Sequence, residues 1–219
     1  MDGRFRDRAD AGRRLAARLV GRPDLADAVV LALPRGGVPV GREIADALGA
    51  DLDVMVVRKL GVPGHEELAM GAIASGGVRI MNDEVLSMLY IPEADVERVV
   101  AREQAELERR ERAYRGVRPA ARVRGRVAIL VDDGVATGST IRAAIAALRR
   151  QEPARIIVAI PVAPPDVCEM LQKEADEVIC LLTPEPFGAI SLWYDDFAQL
   201  RDDDVRVLLH RVGGERRAG

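Results

Sequence analysis

Residues 128–140 read AILVDDGVATGST. The apolar run that opens the stretch predicts a strand covered on both faces, as in a parallel sheet. Two acids and a small, hydroxyl-rich run follow, turning into a predicted helix over residues 139–150. In an open parallel sheet, ligands sit beyond the carboxyl ends of the strands, where loops lead into helix N-termini. Gly134, Val135, Ala136, Thr137, Gly138, Ser139 and Thr140 offer successive backbone N–H groups and three hydroxyls to one phosphate, reinforced by the dipole of the helix behind them. Asp132 and Asp133 stand directly before this loop. They are too close for a water-separated acid/base pair across a sugar, but well placed to accept hydrogen bonds from vicinal hydroxyls, of which a ribose has two. A plainer reading makes the acids turn caps and the glycines a tight bend; strand, paired acids and TGST together outweigh it. No lysine follows Gly138 as a Walker A loop requires, and GxGxxG is absent.

Upstream, residues 28–33 (AVVLAL) form a second short apolar run, broken by Pro34, Arg35, Gly36 and Gly37. A helix is predicted over 38–48 with Gly49 at its C-cap, and another buried strand over 52–57, which completes a βαβ unit. Further buried strands are predicted at 127–131, 156–160 and 178–182, with a helix at 165–175. Five strands in βα alternation imply an α/β fold, a doubly wound and mainly parallel five-stranded sheet. Residues 68–73 and 78–81 flank Ser75, Gly76 and Gly77 and predict an antiparallel hairpin. Asn82 opens a helical insertion, about 82–118, whose longer helix over 94–114 keeps Val96, Val100, Leu107 and Tyr114 near one stripe. Its remaining Glu and Arg residues read as a solvated face rather than an RNA-binding one. Residues 5–19 predict an amphipathic first helix, ended by Gly21, Arg22 and Pro23. The stretch FGAISLWYDDF, residues 187–197, marks a small C-terminal cap of about 184–212, followed by a tail over 213–219 expected to be disordered. The whole of 1–212 is expected to be one domain.

The apolar share is 48% with only 3% aromatic residues, so the core must be aliphatic. A formal charge of -3 supplies no global field to gather a polyanion, and nucleic acid is not an expected partner. Cys168 and Cys180 form no CxxC pair and suit buried thiols in a reducing compartment. The amino terminus, MDGRFRDRAD, is charged and lacks an apolar h-region, and no apolar run approaches a bilayer span; no membrane partner and a cytoplasmic location are expected. His65 and His210 lack acid or thiol partners nearby in sequence. Among the 32 basic residues only Lys59 and Lys173 are lysines, which draws attention to Lys59.

AILVDDGVATGST resembles the phosphoribosyl pyrophosphate motif of type I phosphoribosyltransferases: four apolar residues, two acids, then a TGxT loop. The resemblance continues through LPRGGVPVGREIADALG, which is similar to that family's pyrophosphate loop and its helix, and covers residues 29–182. It implies that Asp132 and Asp133 hold the ribose hydroxyls, that residues 136–140 bind the 5-phosphate, and that Arg35, Gly36 and Gly37 face the pyrophosphate. Mg²⁺ is the implied cofactor, riding on donor oxygens and reaching Asp132 and Asp133 through water, with no direct protein ligand. The implied reaction displaces pyrophosphate from the anomeric carbon by a nitrogen nucleophile, catalysed by position and charge. Arg35 and Lys59 are the expected cations for the leaving group, with Arg58 the competitor of Lys59. The hairpin is the expected mobile cover over the reaction. The expected partners are the phosphoribosyl donor, a nucleobase-like acceptor and further copies of the chain as a homo-oligomer, a dimer.

The acceptor base stays open. Ala136 stands where the hypoxanthine-guanine branch has an aspartate, whereas the PRGG loop is more like the xanthine-guanine branch. Phe187, Trp193, Tyr194 and Phe197 are the candidates to stack on a heterocycle and Asp195 to bond its edge, with cap packing as the competing role for most of them. A second expectation, from another class, is a noncatalytic protein that senses the phosphoribosyl donor or a nucleotide. Retention of Arg35, Gly36 and Gly37 favours the enzyme.

Overall fold

The computed structural model describes residues 3–210; the expected tail over 213–219 lies outside the described residues. Five parallel strands make the central sheet: β1 (Val29–Ala32), β2 (Asp51–Val54), β6 (Val127–Val131), β7 (Arg155–Val162) and β8 (Glu177–Leu182). Their order is β2-β1-β6-β7-β8, every neighbouring pair parallel. Side chains alternate across the sheet because successive Cβ atoms point to opposite faces. Val30, Ala32, Ile129 and Val131 enter one core cluster, while Val29, Leu31, Ala128 and Leu130 enter another. Helices α1 (Arg8–Ala16), α2 (Gly37–Leu48) and α4 (Glu93–Arg115) supply the first face, and α5 (Ser139–Arg149) with α6 (Pro165–Gln172) the second. This is the doubly wound sheet expected from the strand pattern.

The strand order sets the position of the site. The chain leaves β1 toward β2 on one side and returns at β6 to build outward through β7 and β8, so the topological switch lies between β1 and β6. Ala32 is in register with Val131, which brings the loops after both strands out of the sheet side by side. Such a switch point is where doubly wound sheets open a crevice for ligands.

The predicted hairpin is a three-stranded antiparallel sheet: β3 (Val57–Val62), β4 (His65–Ala74) and β5 (Val78–Met81). The strand expected over 52–57 therefore stops at Val54, and Val57 begins a new one. Charged Arg58 and Lys59, then Gly61 and Pro63, masked β3 in the sequence; its stability comes from the ladder to β4 (Val57 opposite Ala74, Leu60 opposite Gly71), a long-range pairing. Helix α3 (Asp83–Met88) follows, its first turn capped by the Asn82 side chain accepting from the Val85 amide. The C-terminal cap is split. A 3-10 turn at Ile190–Trp193 leads residues 187–197 onto Phe5 and Val162, whereas α7 (Asp202–His210) packs on α2 and α4 and buries Val205 and Leu209.

Candidate functional site

A cavity of about 280 Å³ opens at the switch point. It is lined by Lys59, Asp132, residues 134–141 and Ile190, so the loop after β6 meets β3 and the cap there. Of the residues singled out in sequence, Lys59, Asp132, Gly134, Val135, Ala136, Thr137, Gly138, Ser139 and Thr140 are brought together. Lys59 is exposed, and its competitor Arg58 turns away to grip Glu103 of α4 at 2.8 Å.

The loop's geometry follows from its residue types. Gly138 takes a left-handed φ of 77° as the residue capping α5, and a side chain there would strike the end of Met170 at 2.5 Å. Behind it, the first amides of α5 lack intrahelical partners and carry the positive end of the helix dipole. Thr137 and Ser139 hold their hydroxyls 3.3 Å apart beside them. The Val135 amide donates instead to the Val162 carbonyl at 2.9 Å. Val135 thereby anchors the loop to β7, and its amide is taken out of the cradle expected over 134–140.

The two acids diverge. Asp132 opens on the cavity while its Oδ1 accepts the Asp133 amide at 2.9 Å. Asp133 is buried and its Oδ2 accepts from Arg8 Nε at 2.7 Å. Tyr194 donates its hydroxyl to the Asp133 carbonyl at 2.6 Å. Burial pushes both carboxyls above the ordinary range; the neighbouring Asp133 charge lifts Asp132 further, while Arg8 pulls Asp133 back down. Arg8 was not legible as a site residue, being one of several arginines on the first helix and 125 positions away in sequence.

The loop after β1 lies against this pair. A Cβ on Gly36 would fall 2.0 Å from Asp133 Oδ2, and one on Gly37 would fall 2.6 Å from the Val131 carbonyl. Only bare backbone fits. Arg35, between Pro34 and these glycines, points to the cap: its Nη1 donates to the Leu200 carbonyl at 2.6 Å, with Asp202 at 3.5 Å. Asp202 also accepts from Tyr114 at 3.0 Å. None of the expected base-binding group lines the cavity; Phe187, Trp193 and Tyr194 gather in one apolar cluster instead. Tyr194 is buried with its ring against Phe5 and Phe197, which leaves no face for a heterocycle and makes it a packing residue. Trp193 donates to the Phe187 carbonyl, both rings half-buried in the same cluster, and Asp195 is exposed. Ile190 is the cap residue that reaches the cavity, a role its aliphatic side chain did not advertise beside so many aromatic neighbours.

A parallel sheet with a glycine-bearing loop, a helix N-terminus and a carboxylate lining a cavity at its switch point defines a doubly wound α/β protein with a site where such sheets take ligands. The family model for the phosphoribosyl transferase domain matches residues 4–192, and the chain belongs to that family. A Mycobacterium tuberculosis H37Rv protein, named provisionally as a phosphoribosyl transferase, is 45% identical over 208 residues, 95% of this chain and 47% of its own length. The chain thus spans about half the length of the curated relatives it matches. The crystal structure of TT1426 from Thermus thermophilus superposes with a TM-score of 0.83 at 43% identity, covering 94% of this chain and 97% of that one. The AQ2163 protein of Aquifex aeolicus, at 10% identity and a TM-score of 0.50 over 95% of this chain and 87% of its own, shares the fold. Among the described residues, no helix is long and apolar enough to cross a membrane.

Proposed function

We propose that the protein transfers the 5-phosphoribosyl group from phosphoribosyl pyrophosphate to a nitrogen of a nucleobase-like acceptor. In that step the bond from the anomeric carbon to the pyrophosphate oxygen breaks, a carbon–nitrogen bond forms, and positive charge builds on the ribose ring. The single observation that carries the reading is the cavity in which Asp132, the Ala136–Thr140 loop and Lys59 converge at the switch point. Residues 136–140 hold the 5-phosphate on amides and hydroxyls, Asp132 takes ribose hydroxyls, and Lys59 supplies charge toward the leaving pyrophosphate. Gly36 and Gly37 bring backbone against Asp133 and Val131 beside the cavity, and in this reading Arg35 reaches the pyrophosphate once it leaves Leu200 and Asp202.

Among the described residues no group of three or more His, Cys, Asp or Glu could hold a metal ion. Asp132, the carboxylate that opens on the cavity, fits a Mg²⁺ carried by donor oxygens and water. Such an ion would neutralise charge on the pyrophosphate. The chain assembles as a homo-oligomer in this reading, with the exposed Leu68, Met88, Leu89 and Tyr90 as its available apolar surface. A sensor that binds the donor without turnover is the second reading, favoured by Arg35 being turned to the cap rather than to the cavity.

The deciding experiment incubates the protein with phosphoribosyl pyrophosphate, Mg²⁺ and a panel of bases, following pyrophosphate release and nucleotide formation. Nucleotide formed with one or more bases supports the transferase. Donor binding without turnover on any base selects the sensor, and no donor binding overturns both.

A further inference from the structure

We propose that Asp202, at the start of α7, is a positioning residue: with the Leu200 carbonyl it holds Arg35 on the cap, and a ligand bearing pyrophosphate must draw Arg35 away from it. The inference rests on the donor site, common to both readings above, and names what restrains that site's arginine.

The restraint is built from the cap. Arg35 Nη1 donates to the Leu200 carbonyl at 2.6 Å, and its Nε lies 3.5 Å from Asp202 Oδ1. The same Asp202 oxygen accepts the Tyr114 hydroxyl at 3.0 Å. Tyr114 is buried in the last turn of α4; burial, and then the bond to Asp202, push its phenol up to about 12, so it remains a donor near neutrality. α7 is fixed in turn, because Val205 and Leu209 are buried and Arg118 donates to the Leu209 carbonyl at 2.7 Å. Leu200, Asp202 and α7 lie beyond residues 4–192, the span that the family model matches. The restraint is therefore added to the matched domain from outside it.

What moves is narrow. A Cβ on Gly36 or Gly37 would fall 2.0 Å from Asp133 or 2.6 Å from Val131, so the backbone after Arg35 is packed too closely to swing as a loop. Rotation about the Arg35 side-chain bonds is enough to release the guanidinium. The side chains of Arg35 and Asp202 are 42% and 46% exposed, and an ion pair so exposed is weak. A pyrophosphate group offers the same guanidinium a bidentate, charge-assisted pair in exchange. The fraction of molecules in which Arg35 is already free then scales the apparent affinity for any ligand that uses it. A ligand carrying the 5-phosphate alone has no use for Arg35 and is indifferent to the restraint.

Calorimetry in Mg²⁺ with phosphoribosyl pyrophosphate, inorganic pyrophosphate and ribose 5-phosphate tests this, with thermal melts reading the fold. Asp202→Asn keeps an acceptor for Tyr114 and removes the charge that attracts Arg35. It should tighten both pyrophosphate ligands about 2–5-fold, the worth of an exposed ion pair, and leave ribose 5-phosphate unchanged. Asp202→Ser, which keeps a side-chain oxygen suited to a helix start, should do the same and stands in if Asp202→Asn does not fold. With Arg35→Gln in place, Asp202→Asn should add nothing, since the two residues act through one contact. Unchanged or weaker binding of both pyrophosphate ligands, equal tightening of ribose 5-phosphate, or a gain that persists with Arg35→Gln would each overturn the proposal. Absence of phosphoribosyl pyrophosphate binding by the unaltered protein would sink the donor-site reading and this inference with it, an outcome distinct from the other three.

Discussion

At the scale of single residues, the site is built from what is missing as much as from what is present. Gly36 sits so close to Asp133 that an added methyl group must displace a carboxylate already clamped by Arg8. Because that carboxylate has nowhere to move, Gly36→Ala should cost about 1–3 kcal/mol of stability. Urea unfolding measures it, and an unchanged midpoint would mean the loop after β1 is free to shift. Asp132 carries the opposite kind of argument. It opens on the cavity while burial and the Asp133 charge push its carboxyl up, so Asp132→Asn should leave the melt unchanged or raise it while donor affinity falls by about 10–100-fold, the worth of a hydrogen bond to a charged group. Equal affinity for both proteins in calorimetry would remove Asp132 from the site.

At the scale of elements, β4, α3 and the turn after α3 expose four large apolar side chains among charged ones. Leu68 is 45% exposed, Met88 66%, Leu89 42% and Tyr90 89%. Burying such side chains is worth about 1.5–3 kcal/mol each, enough to drive association when several lie together. If this surface is where copies of the chain meet, Met88→Glu with Tyr90→Glu should convert the oligomer to a monomer with the fold intact. Light scattering after size-exclusion chromatography reads the mass directly, and an unchanged mass would place the contact elsewhere. In the adjoining β3, Lys59 lines the cavity while Arg58 holds the strand to α4 through Glu103.

For the molecule as a whole, distant segments are tied together by ion pairs at the edge of the sheet. Glu177 of β8 accepts from Arg22 at 2.6 and 2.9 Å and from Arg155 at 2.6 Å, and Arg155 also reaches Asp24 at 2.9 Å. These bonds join the turn after α1 to β7 and β8. The Arg22 bonds hold the Glu177 carboxyl below its ordinary value of 4.5. A depressed folded value means the stabilisation is present above 4.5 and is lost as pH falls through the lowered folded value. Glu177→Gln should therefore reduce stability near neutrality and flatten its dependence on pH below that point. Urea midpoints compared at about pH 6 and about pH 3 test this, and parallel pH profiles for the two proteins would refute it.

The doubly wound sheet and the turn from β6 into α5 were legible in the residues alone, because both are local signals. Continuous apolar runs such as AVVLAL and AILV have nowhere to go but a buried strand, and Gly138 ahead of Ser139 and Thr140 writes a helix start into a few consecutive residues. Other features waited for the chain to fold, since they depend on pairs far apart along it. β3 exists through its ladder to β4, against its own charged and glycine-broken sequence. Tyr194 became core through Phe5 and Phe197 rather than a base-stacking face. The difference in partners between Asp132 and Asp133 came from Arg8, 125 residues upstream of Asp133, since two adjacent carboxylates look alike until the fold brings a cation to one of them.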